Sequence, residues 1–123
     1  IPMMRRAGGG SIINFGSCSW HLHQGGMPAY TTSKAAIEGL TRGLARDLGP
    51  HRIRVNCIVP GWIMTERQIE KWLTPEAEAE LTAGQCVKEK LGPADVARLA
   101  LWLAAEDSRL CTAQNWLVDG GWV

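Results

Sequence analysis

Residues 28–48 read PAYTTSKAAIEGLTRGLARDL, and this stretch decides the fold. Pro28 fits the first turn of a helix, where its missing N–H is not needed, and Gly49 with Pro50 stops the helix. The side chains that recur at helical spacing form one stripe, which comprises Tyr30, Lys34, Ile37, Thr41, Leu44 and Leu48. The pattern predicts a single helix from Pro28 to Leu48.

Apolar runs on both sides of this helix predict strands. Ser11–Gly16 is a short β-branched run bounded by glycines, and we expect it to be buried on both faces, as strands of parallel sheets are. Arg52–Val59 is a second such run. A strand, a helix and a second strand form one right-handed crossover. A helix that begins at Pro93 and a short strand at Trp116–Val118 complete an α/β pattern of three strands and two main helices.

The segment Trp62–Gly92 is the least regular part of the chain. It contains helical patches at Glu66–Leu73 and Pro75–Leu81, but no long apolar stripe runs through it. It follows Pro60 and Gly61, which end the second strand at the edge of the sheet where open α/β folds bind ligands. We therefore expect residues 62–92 to form a flexible substrate flap within a single domain.

The composition argues against several classes of partner. The 123 residues are 46% hydrophobic and 20% charged, as in one soluble globular domain. The 13 basic and 12 acidic residues give a formal charge of +1 without charge blocks, so we expect no nucleic-acid or membrane partner. No stretch reaches the roughly 20 apolar residues of a membrane span, and the N-terminus lacks the pattern of a signal peptide.

The cysteines are widely spaced and form no C-x-x-C pair; they are Cys18, Cys57, Cys86 and Cys111. Most of them lie in apolar runs, which predicts buried thiols in a reducing compartment. We interpret this compartment as the cytoplasm.

Tyr30 and Lys34 lie four residues apart, which places both side chains on one face of the helix. A nearby ammonium favours the ionised form of a phenol, so the pair can transfer a proton near neutral pH. Ser17 follows the apolar run Ile12–Phe15, where a strand gives way to a loop, and its hydroxyl can face the phenol. A Tyr and a Lys at this spacing also occur on ordinary surface helices, so the pair alone does not establish catalysis.

The wider pattern resembles the short-chain dehydrogenase/reductase family. The resemblance joins Ser17, Tyr30 and Lys34 to the run NCIVPGWIMT at Asn56–Thr65 and to VDGG at Val118–Gly121. It covers essentially the whole chain but matches only the C-terminal half of such an enzyme. It implies a partial domain, the C-terminal half of a doubly wound, Rossmann-like parallel sheet.

The resemblance also implies a role for each site residue. Tyr30 would be the base in the oxidative direction, Ser17 would hydrogen-bond the reacting oxygen, and Lys34 would bind ribose hydroxyls of NAD or NADP. Tyr30 and Lys34 would thus contact the cofactor as well as the substrate. The segment around the nicotinamide would comprise Pro60, Gly61, Ile63 and Thr65, with the Ile63 backbone and the Thr65 hydroxyl as carboxamide contacts. An ordinary strand-ending turn is the alternative interpretation of that segment.

Part of this family's machinery is absent from residues 1–123. A pyrophosphate-binding glycine loop follows a strand and opens a helix, whereas the glycine run at residues 8–10 precedes a strand and predicts a connector. The start at Ile1 rather than at Met indicates truncation or processing. The chain would be the catalytic half of an NAD(P)-dependent enzyme that acts on a sugar or other secondary alcohol. The alternative is an inactive truncated remnant or an assembly module.

Three stretches are similar to aldose 1-dehydrogenases within this family: Asn14–Ser17, Ser19–Leu22 and Trp116–Trp122. This similarity implies a sugar substrate, and tryptophans suit sugar faces, although they also commonly fill a core. His21 and His23 form an H-x-H pair, but no third ligand has matching spacing. We expect substrate-facing or exposed histidines and no metal site.

The first strand is predicted to lack a neighbour on its outer side, which leaves backbone donors and acceptors unpaired. A second copy of the chain, in a homo-oligomer, or the missing N-terminal half would cover this edge. Gly39 and Gly43 lie in the predicted helix and leave room for another helix to approach, which favours a packing or subunit contact.

Overall fold

The protein folds as an open, parallel three-stranded sheet with helices on both faces. The computed structural model describes all residues, 1–123. The strands are β1 (Gly10–Phe15), β2 (Ile53–Pro60) and β3 (Asn115–Val118). The helices are α1 (Pro2–Arg6), α2 (Pro28–Leu48), α3 (Glu66–Trp72), α4 (Pro75–Gly84) and α5 (Pro93–Ala104). The predicted α/β class is confirmed, and α2 has the predicted bounds.

The strand order is β1-β2-β3, and both pairs of neighbours are parallel. Ile12 lies opposite Val55 in the first pair, and Ile58 lies opposite Trp116 in the second. The outer edge of β1 has no neighbouring strand, as the sequence predicted. The expectation that β1 is buried on both faces is wrong for this chain, because its residues are half-buried and Phe15 is 44% exposed. An edge strand is covered from one side only, which explains the difference.

The core is built around β2, whose Val55, Cys57, Ile58 and Val59 are fully buried. Ala45 and Leu48 of α2 pack with Ile53 and Val55 on one face of the sheet. On the other face, α5 contributes Leu103, which is also fully buried. Burial of a side chain of this size is worth about 1.5–3 kcal/mol, so these contacts stabilise the packing of both helices on β2.

The exposed face of α2 has no partner within the chain. A Cβ built at Gly39 or Gly43 would meet no atom within 4 Å, and the neighbouring Leu40 is 50% exposed. The chain itself therefore supplies no helix against these glycines. A packing contact there would need a second molecule.

The segment between β2 and α5 is anchored at its ends and exposed in its middle. Helix α3 has no buried residue, and α4 buries only Leu81. After α4, the N–H groups of Cys86 and Val87 donate to the carbonyls of Gly121 and Gly120 at 3.2 and 2.9 Å. The segment is thus tied to the C-terminal tail by these hydrogen bonds and to the core by Leu81. No helix of the protein is long and apolar enough to cross a membrane.

The turn after β2 lies against the end of β3. The Gly61 N–H donates to the Val118 carbonyl at 2.9 Å, and a Cβ at Gly61 would lie 2.8 Å from the Cα of Asp119. The buried Asp119 carboxylate accepts from the backbone N–H groups of the tail, namely those of Gly121, Trp122 and Val123. Gly61 is therefore required by close backbone approach.

This contact predicts opposite effects for two glycine substitutions. Gly61→Ala should lower the free energy of unfolding by about 1–3 kcal/mol, because the added methyl group meets backbone that cannot move away easily. Gly39→Ala, the matched control, should raise it by about 0.5–1 kcal/mol, because the site is open and helical. Chemical denaturation followed by circular dichroism measures both. Equal stability of the two variants would contradict the close approach.

Candidate active site

The site is assembled where the three strands end. Ser17 follows β1, Gly61 follows β2 and Asp119 follows β3. The N-terminal end of helix α2 lies at the same edge of the sheet, because α2 connects the two parallel neighbours β1 and β2. Ligands of open α/β folds bind at this edge.

Tyr30 and Lys34 lie together on one face of α2, as predicted. The Lys34 Nζ is 5.8 Å from the centre of the Tyr30 ring. The same ammonium donates to the Phe15 carbonyl at the end of β1, at 3.0 Å. Tyr30 is 45% exposed, and its hydroxyl has no hydrogen-bond partner within the chain. The phenol is therefore open to a ligand, with a cation fixed beside it.

Ser17 lies two residues after Phe15, whose carbonyl accepts from Lys34. Its backbone is extended, with φ −164° and ψ 146°, and its Oγ accepts from the Ser19 N–H at 3.2 Å. This contact caps the short 3-10 turn Cys18–Trp20. It uses the oxygen as an acceptor only, so the Ser17 hydroxyl proton remains available for a ligand.

The four residues predicted to face a nicotinamide divide into two pairs. Pro60 is the last residue of β2, and Gly61 makes the close approach to β3. Ile63 bridges to Leu91, but its own N–H donates to no group in the chain. The Thr65 Oγ1 caps α3 by accepting from Gln68 N–H at 3.3 Å, which leaves its proton free. Ile63 and Thr65 thus present two unused donors after β2.

Glu38 is a site residue that the sequence reasoning missed. It lies one turn beyond Lys34 on α2 and is only 6% exposed. Its Oε1 accepts from Trp20 Nε1 at 2.8 Å and from His21 Nε2 at 3.2 Å, and its Oε2 accepts from Asn115 Nδ2. The available signal was a carboxylate four residues after Lys34, next to the stripe predicted to face the sheet.

The aromatic pair Trp20 and His21 rests on this carboxylate. The two rings stack with centroids 3.8 Å apart and planes tilted by 32°. His21 of the H-x-H pair therefore pairs with Glu38, whereas His23 is exposed. No three His, Cys, Asp or Glu side chains lie close enough together to hold a metal ion.

The thiols near the site are packing groups. Burial, with the Asp119 charge as a smaller cause, raises the pKa of Cys18 to about 11. Burial is also the main cause that raises the pKa of Cys57. Both therefore stay protonated and unreactive near neutral pH. The expectation of buried thiols holds for these two, whereas Cys111 is only half-buried and the expectation is wrong for Cys86, which is exposed after α4.

The chain resembles known oxidoreductases along its whole length. A family model described as enoyl-(acyl carrier protein) reductase matches residues 1–123. A D-xylose 1-dehydrogenase of Caulobacter vibrioides (strain NA1000 / CB15N) is 54% identical over 121 residues, which are 98% of this chain and 48% of that protein. A probable galactose dehydrogenase GalD of Rhizobium meliloti (strain 1021) is 49% identical over 120 residues, with coverage of 98% and 47%.

The fold agrees with the sequence relationship. A solved 7α-hydroxysteroid dehydrogenase in complex with NADH and 7-oxo glycochenodeoxycholic acid superimposes with a TM-score of 0.92 at 35% identity. The superposition covers 98% of this chain and 47% of that one. The chain therefore spans about half the length of the relatives it matches. Since the family model, the sequences and the fold agree over the same residues, this chain belongs to the short-chain dehydrogenase/reductase family.

Proposed function

We propose that this chain forms the catalytic half of an NAD(P)-dependent oxidoreductase that oxidises a sugar or another secondary alcohol. The observation that carries the proposal is the placement of Lys34, whose ammonium lies beside the exposed Tyr30 ring and is fixed by the Phe15 carbonyl. A phenol next to a held cation, open at the ligand-binding edge of the sheet, is suited to proton transfer.

Each residue of the trio has one task in this proposal. The Tyr30 hydroxyl, as phenolate, takes the proton from the substrate hydroxyl during oxidation and returns it during reduction. The Ser17 O–H donates a hydrogen bond to the reacting oxygen and stabilises negative charge there. The Lys34 ammonium has further donors for ribose hydroxyls. No metal ion is needed in this scheme.

The turn after β2 fits a nicotinamide. The free Ile63 N–H and the free Thr65 hydroxyl proton are two donors that match a carboxamide oxygen. Pro60 and Gly61 form the sharp turn that sets their position, and the absent Cβ of Gly61 keeps the turn against β3. A bound nicotinamide would supply the hydride chemistry. We assign only the nicotinamide side of the cofactor to this chain, and NAD and NADP remain equal candidates.

The substrate is proposed to be an aldose. The two sugar dehydrogenases similar to this chain are 54% and 49% identical to it, whereas the solved hydroxysteroid enzyme is 35% identical. The stacked Trp20 and His21 rings lie three and four residues after Ser17 and offer an aromatic surface on the loop that Ser17 begins. Aromatic faces bind the apolar faces of sugar rings.

We further propose that the chain works in an assembly. The free edge of β1 exposes unpaired backbone groups and part of Phe15. The exposed face of α2 carries Gly39, Leu40 and Gly43 without a partner. Both surfaces favour contact with a second copy or with a further polypeptide half that completes the sheet.

The thiols fit a cytoplasmic location, which we propose for this protein. All four cysteines are free. Free thiols persist most readily in a reducing compartment.

A non-enzymatic assembly module is the second candidate function. It is favoured by the two surfaces that have no partner in the chain, the outer edge of β1 and the face of α2 around Gly39 and Gly43. In that case the packing surfaces would be kept and the site would bind no nicotinamide. Cofactor binding separates the two candidates.

Loss of the phenol hydroxyl should abolish turnover without loss of fold. In the shortest active form that contains this chain, Tyr30→Phe should lower kcat/KM for D-xylose by about 10²–10⁴-fold, because only the proton-transfer group is removed. Thr32→Ala, an exposed hydroxyl residue on the same helix, should leave kcat/KM unchanged. Steady-state kinetics decides, with circular dichroism as the fold check. Full activity of Tyr30→Phe would reject the assignment of the base.

The nicotinamide side of the site can be tested on the chain itself. Reduced nicotinamide mononucleotide should show saturable binding in ligand-observed NMR, and Lys34→Met should weaken it about tenfold, the typical effect of removing a charged hydrogen bond. Lys71→Met, on the exposed helix α3, is the matched control and should bind like the unmodified chain. Absence of binding by the unmodified chain would favour the assembly module.

The flap should open more readily than the sheet. Amides of α3 should exchange with deuterium more than about 100-fold faster than those of β2, because α3 has no buried residue whereas β2 is almost fully buried. Hydrogen exchange with mass spectrometry measures both peptides in one sample. Exchange in residues 66–72 as slow as in residues 53–60 would show that the segment is not a mobile lid.

A further inference from the structure

The strongest unexplained feature of the site is the buried carboxylate of Glu38. Taking a carboxylate out of water costs several kcal/mol unless hydrogen bonds compensate. Here three donors from two distant parts of the chain satisfy it: Trp20 Nε1, His21 Nε2 and Asn115 Nδ2. An apolar residue would fill this position in the core more simply. The reason for a carboxylate at this position must therefore lie in the side chains that it binds.

Glu38 binds two side chains of a short turn that begins directly after Ser17. Main-chain bonds inside the turn make it compact, since Leu22 N–H donates to the Cys18 carbonyl at 3.0 Å and His23 N–H donates to the Trp20 carbonyl at 3.3 Å. Cys18 is buried, and Leu22 packs against its cluster in the core. The backbone is thus fixed without Glu38, and the carboxylate acts on the two aromatic side chains.

Glu38 also lies close to Lys34 and to the end of β1 that leads to Ser17. It is one helical turn from Lys34, and a Cβ built at Gly16 would be 3.4 Å from its Oε1. The strand end that carries Ser17 therefore rests on the same carboxylate that holds the rings of Trp20 and His21. Any shift of Glu38 would move the aromatic pair relative to the hydroxyl of Ser17.

We infer that Glu38 is a positioning residue that holds Trp20 and His21 as a wall for a polyhydroxylated ring, and so helps the site to select sugars over simple alcohols. This inference rests on the proposed function, because it concerns the substrate of the same site. It assigns no step in proton transfer to Glu38. It assigns substrate recognition to the two rings.

The chemistry of the wall follows from its hydrogen bonds. Trp20 is 37% exposed, and its indole N–H is used by Glu38, so its exposed part is apolar and suits the C–H face of a sugar ring. In the neutral ring of His21, donation from Nε2 to Glu38 leaves Nδ1 with a lone pair. That Nδ1 has no partner in the chain and can accept a hydrogen bond from a sugar hydroxyl. An alcohol with a single hydroxyl has no second hydroxyl for the Nδ1 contact.

The test uses the chain with 15N-labelled tryptophan, and D-xylose and cyclohexanol as probes. The Trp20 indole signal is assigned with Trp20→Phe. D-xylose should shift this signal saturably, whereas cyclohexanol at the same concentration should not. Glu38→Gln, which replaces one of the two acceptor oxygens by an N–H donor group, should weaken xylose binding about tenfold and speed indole hydrogen exchange.

Asp47→Asn is the matched control, because Asp47 is an exposed carboxylate on the same helix. It should bind xylose like the unmodified chain. If Glu38→Gln does not fold, His21→Ala serves instead, since its side chain is partly exposed and its loss should also weaken xylose binding. In an active form, Glu38→Gln should raise KM for xylose by a larger factor than KM for cyclohexanol.

Two results would overturn the inference. The first is xylose binding by Glu38→Gln or His21→Ala that equals that of the unmodified chain. The second is a Trp20 signal that does not respond to D-xylose. If Tyr30→Phe still abolishes turnover in either case, the proposed oxidoreductase function stands and only the role of Glu38 fails.

Discussion

The hydrogen bond from the Lys34 ammonium to the Phe15 carbonyl ties the N-terminal part of α2 to the end of β1. It joins two elements that the chain separates by a loop, and it fixes a cation next to the Tyr30 ring. The packing of α2 on β2, through Ala45 and Leu48, sets the far end of the same helix. The site therefore depends on a helix held at both ends by the sheet.

The sequence predicted the elements whose signals are local. The periodic stripe of α2, with a proline at its start and Gly49 at its end, gave its bounds, and the apolar run around Val55 gave the central strand. The spacing of Tyr30 and Lys34 also placed them correctly on one face. These features follow from helical and strand periods, which a single stretch of sequence carries.

Contacts between distant residues could not be predicted in the same way. Glu38 joins Asn115, which is far along the chain, and Gly61 is required only because the backbone of Asp119 lies against it. A glutamate in an amphipathic helix normally lies on the solvated face, so its burial is visible only when its donors are in place. The half-buried state of β1 likewise depends on which strands surround it.

Lys34 and Glu38 carry opposite charges one helical turn apart, yet they do not form an ion pair with each other. Their separate hydrogen-bond partners explain why. Lys34 donates to a carbonyl, and none of the three donors that bind Glu38 is a lysine or an arginine. A direct ion pair would neutralise the ammonium, whereas a carbonyl acceptor orients it and leaves its positive charge acting on the neighbouring phenol. Because Glu38 is occupied by its own donors, the cation remains available to Tyr30. The separation of these two hydrogen-bond networks keeps proton transfer and substrate positioning on neighbouring but distinct residues of one helix.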